Sequence, residues 1–172
     1  MNHLAGIIPV ANMDSQIDLP FPLPLLPVNN DFTAIQKSVY ECSLAGCNTI
    51  WIVANQNLAP VVRKVVGDWV YDPVYYHRVA FGEGKDNRRE IPIYYTSLHP
   101  KNIGRRDSYG WSVLSGVYSS WRVSNQISKW IVPNKYFISF PMSFYDPELL
   151  RKHRKDISHQ SENFCLTWQN KT

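Results

Sequence analysis

The segment DFTAIQKSVYECSLAGCNTIWIVANQNLAPVVRKVVG, residues 31–67, contains two helix-like patterns separated by a β-branched run. In its first part, apolar residues recur at helical spacing, which predicts a helix. The run NTIWIVA, residues 48–54, predicts a strand, and LAPVVRKVV, residues 58–66, predicts a second helix before a glycine stop. A helix, a strand and another helix in this order are typical of the right-handed βαβ units that build a parallel sheet.

The first helix of this segment is expected to begin at Asn30 or Asp31, because either side chain can accept a hydrogen bond from the first turn. It is expected to end at about residue 45, since Gly46 readily takes the conformation that closes a helix. The stretch ahead of it, residues 12–30, is rich in proline and predicts an extended loop. A loop of this length in a compact domain indicates a functional purpose.

The remaining elements follow from the same reasoning, applied outward from this segment. The apolar run GIIPVA, residues 6–11, has no alternation and predicts a strand that is buried on both faces. The later elements are predicted as an irregular stretch (70–90), a third strand (91–97), a helix (109–125), a fourth strand (135–140), a helix (147–155) and a fifth strand (164–168). The expected fold is therefore α/β, a three-layer Rossmann-like sandwich with a mostly parallel central sheet.

The composition limits the class of protein. At 172 residues and 44% apolar composition, the chain can bury one sizeable core, which predicts a single domain over residues 1–172. The uncharged, Pro-rich stretch of residues 19–30 falls short of the roughly 20 apolar residues of a membrane span. The N-terminus carries no export signal, so we expect a cytoplasmic protein with no membrane contact. A net charge of +4 permits anionic ligands and does not indicate nucleic-acid binding.

The cysteine and histidine residues do not form a metal-binding pattern. Cys42 and Cys47 are separated by four residues with no neighbouring histidine, and an odd total of three cysteines argues against a disulfide framework. The five histidines are scattered, and no Gly-x-Ser-x-Gly motif occurs. These patterns favour neither a zinc enzyme nor a serine hydrolase. The basic run at residues 151–155 favours a solvated helix face over a phosphate-binding patch.

Four motifs occur in order along the chain: PLPLLPV (22–28), LAGCNTIWIV (44–53), SYGWSVL (108–114) and FYDPEL (144–149). In this order they resemble elements of the sugar-nucleotide pyrophosphorylases, nucleotidyltransferases with a glycosyltransferase-A type fold. In that family the first motif follows a glycine-rich loop, the third begins a helix that cradles the base and phosphates, and the fourth follows a metal-binding aspartate. The resemblance implies binding of a nucleotide or a nucleotide sugar, and Mg²⁺-dependent nucleotidyl transfer to a sugar phosphate.

The chain departs from that family at the charged positions. Residues 10–16 replace the glycine-rich loop and contain neither glycine nor arginine. Leu23 replaces the family's lysine, and Met142 replaces its metal-binding aspartate. Nucleotidyl transfer needs cations to neutralise the charge that develops on the phosphoryl group, and the cationic and metal-binding residues that the family uses for this are missing here. We therefore assign no catalytic residue and expect a degenerate active site.

Candidate ligand-binding residues lie in two loops that are expected to reach the carboxyl end of the sheet. The candidate nucleotide-binding residues are Asn12, Asp14, Arg105, Arg106 and Gly110. The arginines precede a helix start, where exposed amide groups favour an anion, and the alternative is a pair of solvated loop arginines. Asp14 and Asp18 are the candidate Mg²⁺ ligands, with Asx turns in a Pro-rich loop as the alternative.

Three functions remain open at this point. The leading hypothesis is a nucleotidyltransferase-like protein that binds a nucleotide or a nucleotide sugar. The second is a catalytically inactive interaction domain that retains the fold. The third, a small glycosyltransferase, would need an Asp-x-Asp motif that the sequence lacks. The many aromatic residues between positions 69 and 121 are expected mostly in the core or in a subunit interface, which allows a homo-oligomer.

Overall fold

The structure is a computed structural model that describes residues 3–11, 13, 18–78, 89–106, 108–165 and 167. Its strands are β1 (Leu4–Pro9), β2 (Pro27–Asn29), β3 (Phe32–Thr33), β4 (Thr49–Val53), β5 (Trp69–Tyr71), β6 (Glu90–Thr96) and β7 (Lys135–Ile138). Its helices are α1 (Ala34–Ala45), α2 (Ala59–Val66), α3 (Pro73–Arg78), α4 (Tyr109–Ile127), α5 (Glu148–Lys152) and α6 (Arg154–His159).

A five-stranded sheet in the order β5-β6-β4-β1-β7 forms the centre of the molecule. The strands β6, β4, β1 and β7 are parallel to one another, and β5 pairs antiparallel with β6 at one edge. Ile7 in β1 lies beside Trp51 on one side and Ile138 on the other. All six residues of β1 are buried, as expected of a central parallel strand. The α/β class with a mostly parallel sheet and flanking helices is therefore confirmed.

The two faces of the sheet are covered unequally. On one face, α1, α2, α5 and α6 contribute side chains to a large buried cluster that includes Ile8, Ile35, Val62, Leu150 and Ile157. On the other face, α4 is the helix that packs on β1 and β4 among the described part of the chain. One face is thus covered by several helices, and the other by a single long one.

Helix α4 approaches the sheet closely because its own residues that face the sheet are small. They recur every four residues: Ser112, Gly116, Ser120 and Ser124. A Cβ atom on Gly116 would lie 2.8 Å from the Cγ2 atoms of both Ile7 and Val53, so the helix backbone rests directly on the strand side chains. Over the residues with assigned positions, neither α4 nor any other helix is long and apolar enough to cross a membrane.

Helix α1 starts later than the sequence indicated. It begins after Thr33, whose backbone amide donates to the side-chain oxygen of Gln36 at 2.9 Å. Asn30 and Asp31 instead form the turn between β2 and β3, where Asp31 has a φ of 58°. Residues 12–30 were predicted to be loop throughout, which is wrong at their C-terminal end. A 3-10 turn (Leu23–Leu25) and β2 form there, because proline is tolerated in a first turn and on an edge strand.

The first strand is displaced by two residues from its predicted position. The sequence indicated residues 6–11, whereas β1 runs from Leu4 to Pro9. Pro9 ends the regular ladder because it has no amide hydrogen, although the Val10 amide still donates to the Val53 carbonyl at 2.8 Å. Strand β1 therefore delivers residues 10 and 11 to the carboxyl edge of the sheet.

The fifth strand of the sheet lies elsewhere than predicted. Within the proposed strand 164–168, Phe164, Cys165 and Thr167 are described, and all three are exposed and outside any strand. A β-prone run does not form a strand without a partner strand or a face to bury. The fifth strand is β5, which with α3 occupies the start of the stretch 70–90 that was predicted to be irregular. Residues 79–88 of that stretch lie outside the described residues.

The predicted helix 147–155 is two short helices, α5 and α6, separated by one residue. Its basic residues were expected to be solvated, which is wrong for Arg154. The Arg154 guanidinium donates to the carbonyls of Ser43 (2.7 Å) and Leu44 (3.2 Å) at the end of α1, and it forms an ion pair with the buried carboxylate of Asp72. Because Asp72 is distant in the sequence, the local pattern of charges could not reveal this role.

Tyr95 joins β6 to the end of α2. Its hydroxyl donates to the Gly67 carbonyl at 2.5 Å, and burial raises the pKa of Tyr95 to about 12. Because the folded state holds this proton more tightly than the unfolded chain does, the stabilisation is present below pH 10.0 and is lost as the pH rises to about 12. We expect Tyr95→Phe to lower the free energy of unfolding by about 1 kcal/mol at neutral pH, as measured by urea unfolding. The variant should also lose less stability than the wild type as the pH rises from 10.0 to about 12. An unchanged alkaline loss in the variant would contradict this assignment.

Candidate functional site

The carboxyl edge of a parallel α/β sheet is where such proteins bind ligands, especially where the strand order reverses. In this sheet, the chain passes from β1 outward to β4 and β6, and then returns to β7 on the other side of β1. The reversal point therefore lies between β1 and β7. Two clefts open along this edge, one beside the ends of β1 and β4 and one beside the end of β7.

The first of these, here named the β1–β4 cleft, is formed by residues after the two strands, by the Pro-rich segment and by the start of α2. Its volume is about 580 Å³. Its lining includes Val10, Ala11, Asp18, Phe21, Asn57 and Leu58. Asp18 is the only charged side chain among the described residues that line it. The cleft therefore suits a largely uncharged group that offers hydrogen-bond donors.

Asn55 fixes the wall of the β1–β4 cleft. Its side-chain amide donates to the Ala11 carbonyl at 3.4 Å, and its side-chain oxygen accepts from the Leu58 amide at 2.8 Å. These bonds connect the end of β1 to the start of α2. Asn57, two residues further on, keeps an exposed side chain that lines the cleft.

The second cleft, here named the α4 cleft, lies beside the end of β7. Its volume is about 460 Å³, and it is lined by Ser108, Gly110, Trp111, Val113, Leu114 and Phe140. Phe140 follows β7, and its ring packs edge-on against the ring of Tyr109, with the centroids 5.8 Å apart. The side-chain oxygen of Ser108 accepts from the Trp111 amide at 3.4 Å and caps the helix. The N-terminus of α4 therefore meets the end of β7 at the reversal point.

Arg105 and Arg106 lie in the turn before α4, and both are exposed. The guanidinium carbon of Arg106 is 4.2 Å from the centroid of the Trp111 ring. This cation–π contact holds the Arg106 side chain beside the α4 cleft, because Trp111 lines that cleft. The N-terminus of a 19-residue helix adds partial positive charge at the same place. Arg106 and the N-terminus of α4 therefore place positive charge beside the α4 cleft.

The structure separates the candidate residues into two groups. Asp18 lines the β1–β4 cleft, whereas Gly110 lines the α4 cleft and Arg106 adjoins it. The two clefts share no described lining residue, so the acidic and basic candidates do not meet in one cleft. Two further candidates lie outside the described residues: Asn12 and Asp14.

Of the two candidate Mg²⁺ ligands, Asp14 and Asp18, the second alone lies among the described residues. The described residues contain no group of three or more His, Cys, Asp or Glu side chains that could hold a metal ion. Asp18 supplies one carboxylate at the β1–β4 cleft. Beyond the end of β7, the exposed side chain of Met142 stands where the resemblance calls for an aspartate. A thioether does not replace a carboxylate oxygen as a ligand of Mg²⁺.

A buried polar network next to the end of β7 was missed by the sequence reasoning. Glu41 on α1 accepts from the Lys37 ammonium at 2.8 Å and from the Ser139 hydroxyl at 2.6 Å. Lys37 also donates to the Ser143 carbonyl, and burial together with the nearby Glu41 raises the pKa of Tyr145. The network anchors the segment after β7 to α1. The signal that could have found it is a Lys–Glu pair four residues apart on an otherwise uncharged helix.

Two of the motifs that carry the family resemblance lie at the clefts. Residues 22–24 line the β1–β4 cleft, and the segment 108–114 forms the start of α4 beside the α4 cleft. Both motifs therefore occupy the edge at which a parallel sheet binds its ligands. No model of a known protein family matches the chain, and no curated protein gives a significant sequence match to it.

Proposed function

We propose that this protein binds a nucleotide or a nucleotide sugar at the carboxyl edge of its sheet. The observation that carries the proposal is the presence of two clefts with different chemistry at this edge. One is nearly uncharged, and the other adjoins the exposed Arg106 and the start of a long helix. A nucleotide has the same two-part chemistry, because an uncharged base and ribose are joined to charged phosphates.

The nucleoside part is proposed to occupy the β1–β4 cleft. Phe21 offers an aromatic face on which a base can stack, and the Asn57 amide offers both a donor and an acceptor. The Asp18 carboxylate can accept from a ribose hydroxyl. The volume of about 580 Å³ falls within the usual range for small-molecule sites.

The phosphates are proposed to lie towards α4. Arg105 and Arg106 supply two exposed guanidinium groups, which match phosphate oxygens in geometry. In the first turn of α4, the Trp111 amide is bonded to the Ser108 side chain, whereas Tyr109 and Gly110 precede the first bond within the helix. Gly110 leaves this backbone open, because a Cβ there would find its nearest non-neighbouring atom, Ser108 Oγ, at 3.9 Å.

Nucleotidyl transfer to a sugar phosphate is the reaction that the family resemblance implies. When bound, Mg²⁺ neutralises phosphoryl charge in such a reaction. Because Asp18 is the one candidate ligand of this ion among the described residues, the proposal is limited to binding. No residue is given a catalytic role.

A calorimetric and thermal-shift screen tests the proposal. The ligands are nucleoside mono-, di- and triphosphates and nucleotide sugars, each with and without Mg²⁺. We expect at least one base to raise the melting temperature, since a ligand of the native state stabilises it. The double variant Arg105→Ala/Arg106→Ala should then bind about 10- to 100-fold more weakly, because it loses charge-assisted contacts. Asp18→Asn should instead weaken the binding of nucleoside mono-, di- and triphosphates by the same factor, because it changes a contact to the nucleoside part.

The matched control is Arg151→Ala/Lys152→Ala, which removes two exposed positive charges from α5. It should leave nucleotide binding unchanged. Equal losses in the two double variants would contradict the placement of the phosphates. A screen in which no nucleotide raises the melting temperature would contradict the proposed function.

An interaction domain without catalytic activity is the second candidate function. The specific observation in its favour is that α4 exposes large apolar side chains on its outer side, including Trp111, Leu114 and Tyr118. Leu23 and Met142, at positions where the family that the chain resembles has charged groups, also favour it. This candidate function predicts that no nucleotide raises the melting temperature, with or without Mg²⁺.

A further inference from the structure

We infer that the outer face of α4 is a self-association surface on which a second copy of this chain packs in an antiparallel orientation. The outer face of α4 is defined here as Trp111, Leu114, Tyr118 and Trp121. These side chains are 40%, 56%, 58% and 47% exposed, respectively. Their spacing of three and four residues aligns them in one stripe along the helix, on the side opposite the small residues that pack on the sheet.

Helix α4 contains fewer charged residues than is usual for a helix whose outer face is exposed to solvent. Of its 19 residues, Arg122 alone is charged, whereas the outer face of a surface helix is normally rich in charged and polar side chains. A contiguous apolar patch on a protein surface marks an interaction site, because covering it removes apolar area from water. The outer face of α4 therefore favours contact with another apolar surface.

The neighbouring strands extend this apolar surface. Tyr94 stacks on Trp51, which packs in the same buried cluster as Val117 of α4, so Tyr94 lies on the α4 side of the sheet. By strand register, Trp69 on β5 and Ile138 on β7 lie on that side as well. All three are exposed.

The exposed area is sufficient for a dimer of this chain. The four side chains of the outer face and the three on the flanking strands each leave on the order of 100 Å² accessible, or roughly 700 Å² per copy. A standard protein–protein interface buries about 800 Å² on each partner. A second copy that covered these seven side chains would bury roughly 1,400 Å² in total, which lies within the range of about 1,200–2,000 Å² for specific interfaces.

A two-fold, antiparallel contact makes the stripe self-complementary. With the axis near position 116, Trp111 meets Trp121 of the second copy, and Leu114 meets Tyr118 of the second copy. Arg122 then lies opposite position 110, which is a glycine. A parallel contact would instead place two Arg122 side chains next to each other, where like charges repel. The distribution of charge thus selects the antiparallel arrangement.

Sedimentation velocity over a concentration series tests this inference. We expect the wild-type chain to sediment as a dimer. The variant Leu114→Glu/Tyr118→Glu should dissociate at least 100-fold more readily, because it places carboxylates opposite each other across the axis. The variant Leu114→Lys/Tyr118→Glu places opposite charges there and should remain dimeric at low salt. Both side chains are exposed, so the melting temperatures and circular dichroism spectra of the monomers should be unchanged.

The matched control is Leu149→Glu/Phe164→Glu, which introduces the same charges at exposed apolar residues outside α4. It should sediment as the wild type does. A wild-type chain that stays monomeric at every concentration overturns the inference, and so does a dimer that only the control variant disrupts. Equal dissociation of the two charge variants on α4 overturns the antiparallel arrangement.

Discussion

Replacing Gly116 by valine is expected to lower the free energy of unfolding by about 3 kcal/mol. A Cβ atom alone would lie 2.8 Å from the Cγ2 atoms of Ile7 and Val53, which is closer than carbon atoms pack. Both neighbours are β-branched residues on buried strands, so neither side chain can rotate aside at low cost. The helix itself must move away from the sheet, which separates Ser112 and Ser120 from the strands as well.

Urea unfolding followed by circular dichroism measures the effect of Gly116→Val. Gly110→Ala is the matched control in the same helix, because its new Cβ would have the nearest non-neighbouring atom 3.9 Å away. Alanine favours the helix over glycine by up to about 1 kcal/mol, so the control should be as stable as the wild type or more so. A Gly116→Val protein with wild-type stability would mean that α4 does not rest on the sheet as closely as described.

The order of helices and strands could be predicted because most elements carry their own periodicity. Strand β4, TIWIV, consists of β-branched residues and one tryptophan, which is typical of a strand that is buried on both faces. Gly46 and Gly67 end their helices with φ values of 94° and 87°, which few other residues adopt. Strand β5 could not be found in this way, since it has three residues and none of them is buried. It exists because β6 offers an unpaired edge, which is a long-range contact.

The location of candidate residues at the carboxyl edge of the sheet could be predicted from the sequence, but which of them lie in the same cleft could not. The rule that ligands bind at the carboxyl edge places Asp18 and Gly110 at that edge, where each lines a cleft. Which residues share a cleft depends on the path of loops that have no periodic pattern. Likewise, the Glu41 carboxylate binds the Ser139 hydroxyl across 98 positions of sequence. Such contacts form between residues that are distant in the sequence, so no local pattern predicts them.

The second large effect is expected at Asp72, where Asp72→Asn should destabilise the protein by about 3 kcal/mol. The carboxylate is fully buried, forms an ion pair with Arg154, and lies 3.5 Å from the Arg89 guanidinium. It also accepts from the Val74 amide at 3.1 Å. Asparagine retains the volume and can keep this last bond, but it leaves two guanidinium groups without their counter-charge. Urea unfolding at neutral pH measures the loss.

A double-mutant cycle with Arg154→Gln tests whether the ion pair is the cause of this loss. The double variant should cost about 2 kcal/mol less than the sum of the single variants, because the second change removes the uncompensated charge left by the first. Arg63 and Asp68 provide the comparison, since their side chains lie 2.7 Å apart but are more than half exposed. Solvent screens this pair, so Asp68→Asn should leave the unfolding midpoint nearly unchanged. Additive losses in the Asp72–Arg154 cycle would mean that packing, and not the ion pair, couples β5 to α6 and to the end of α1.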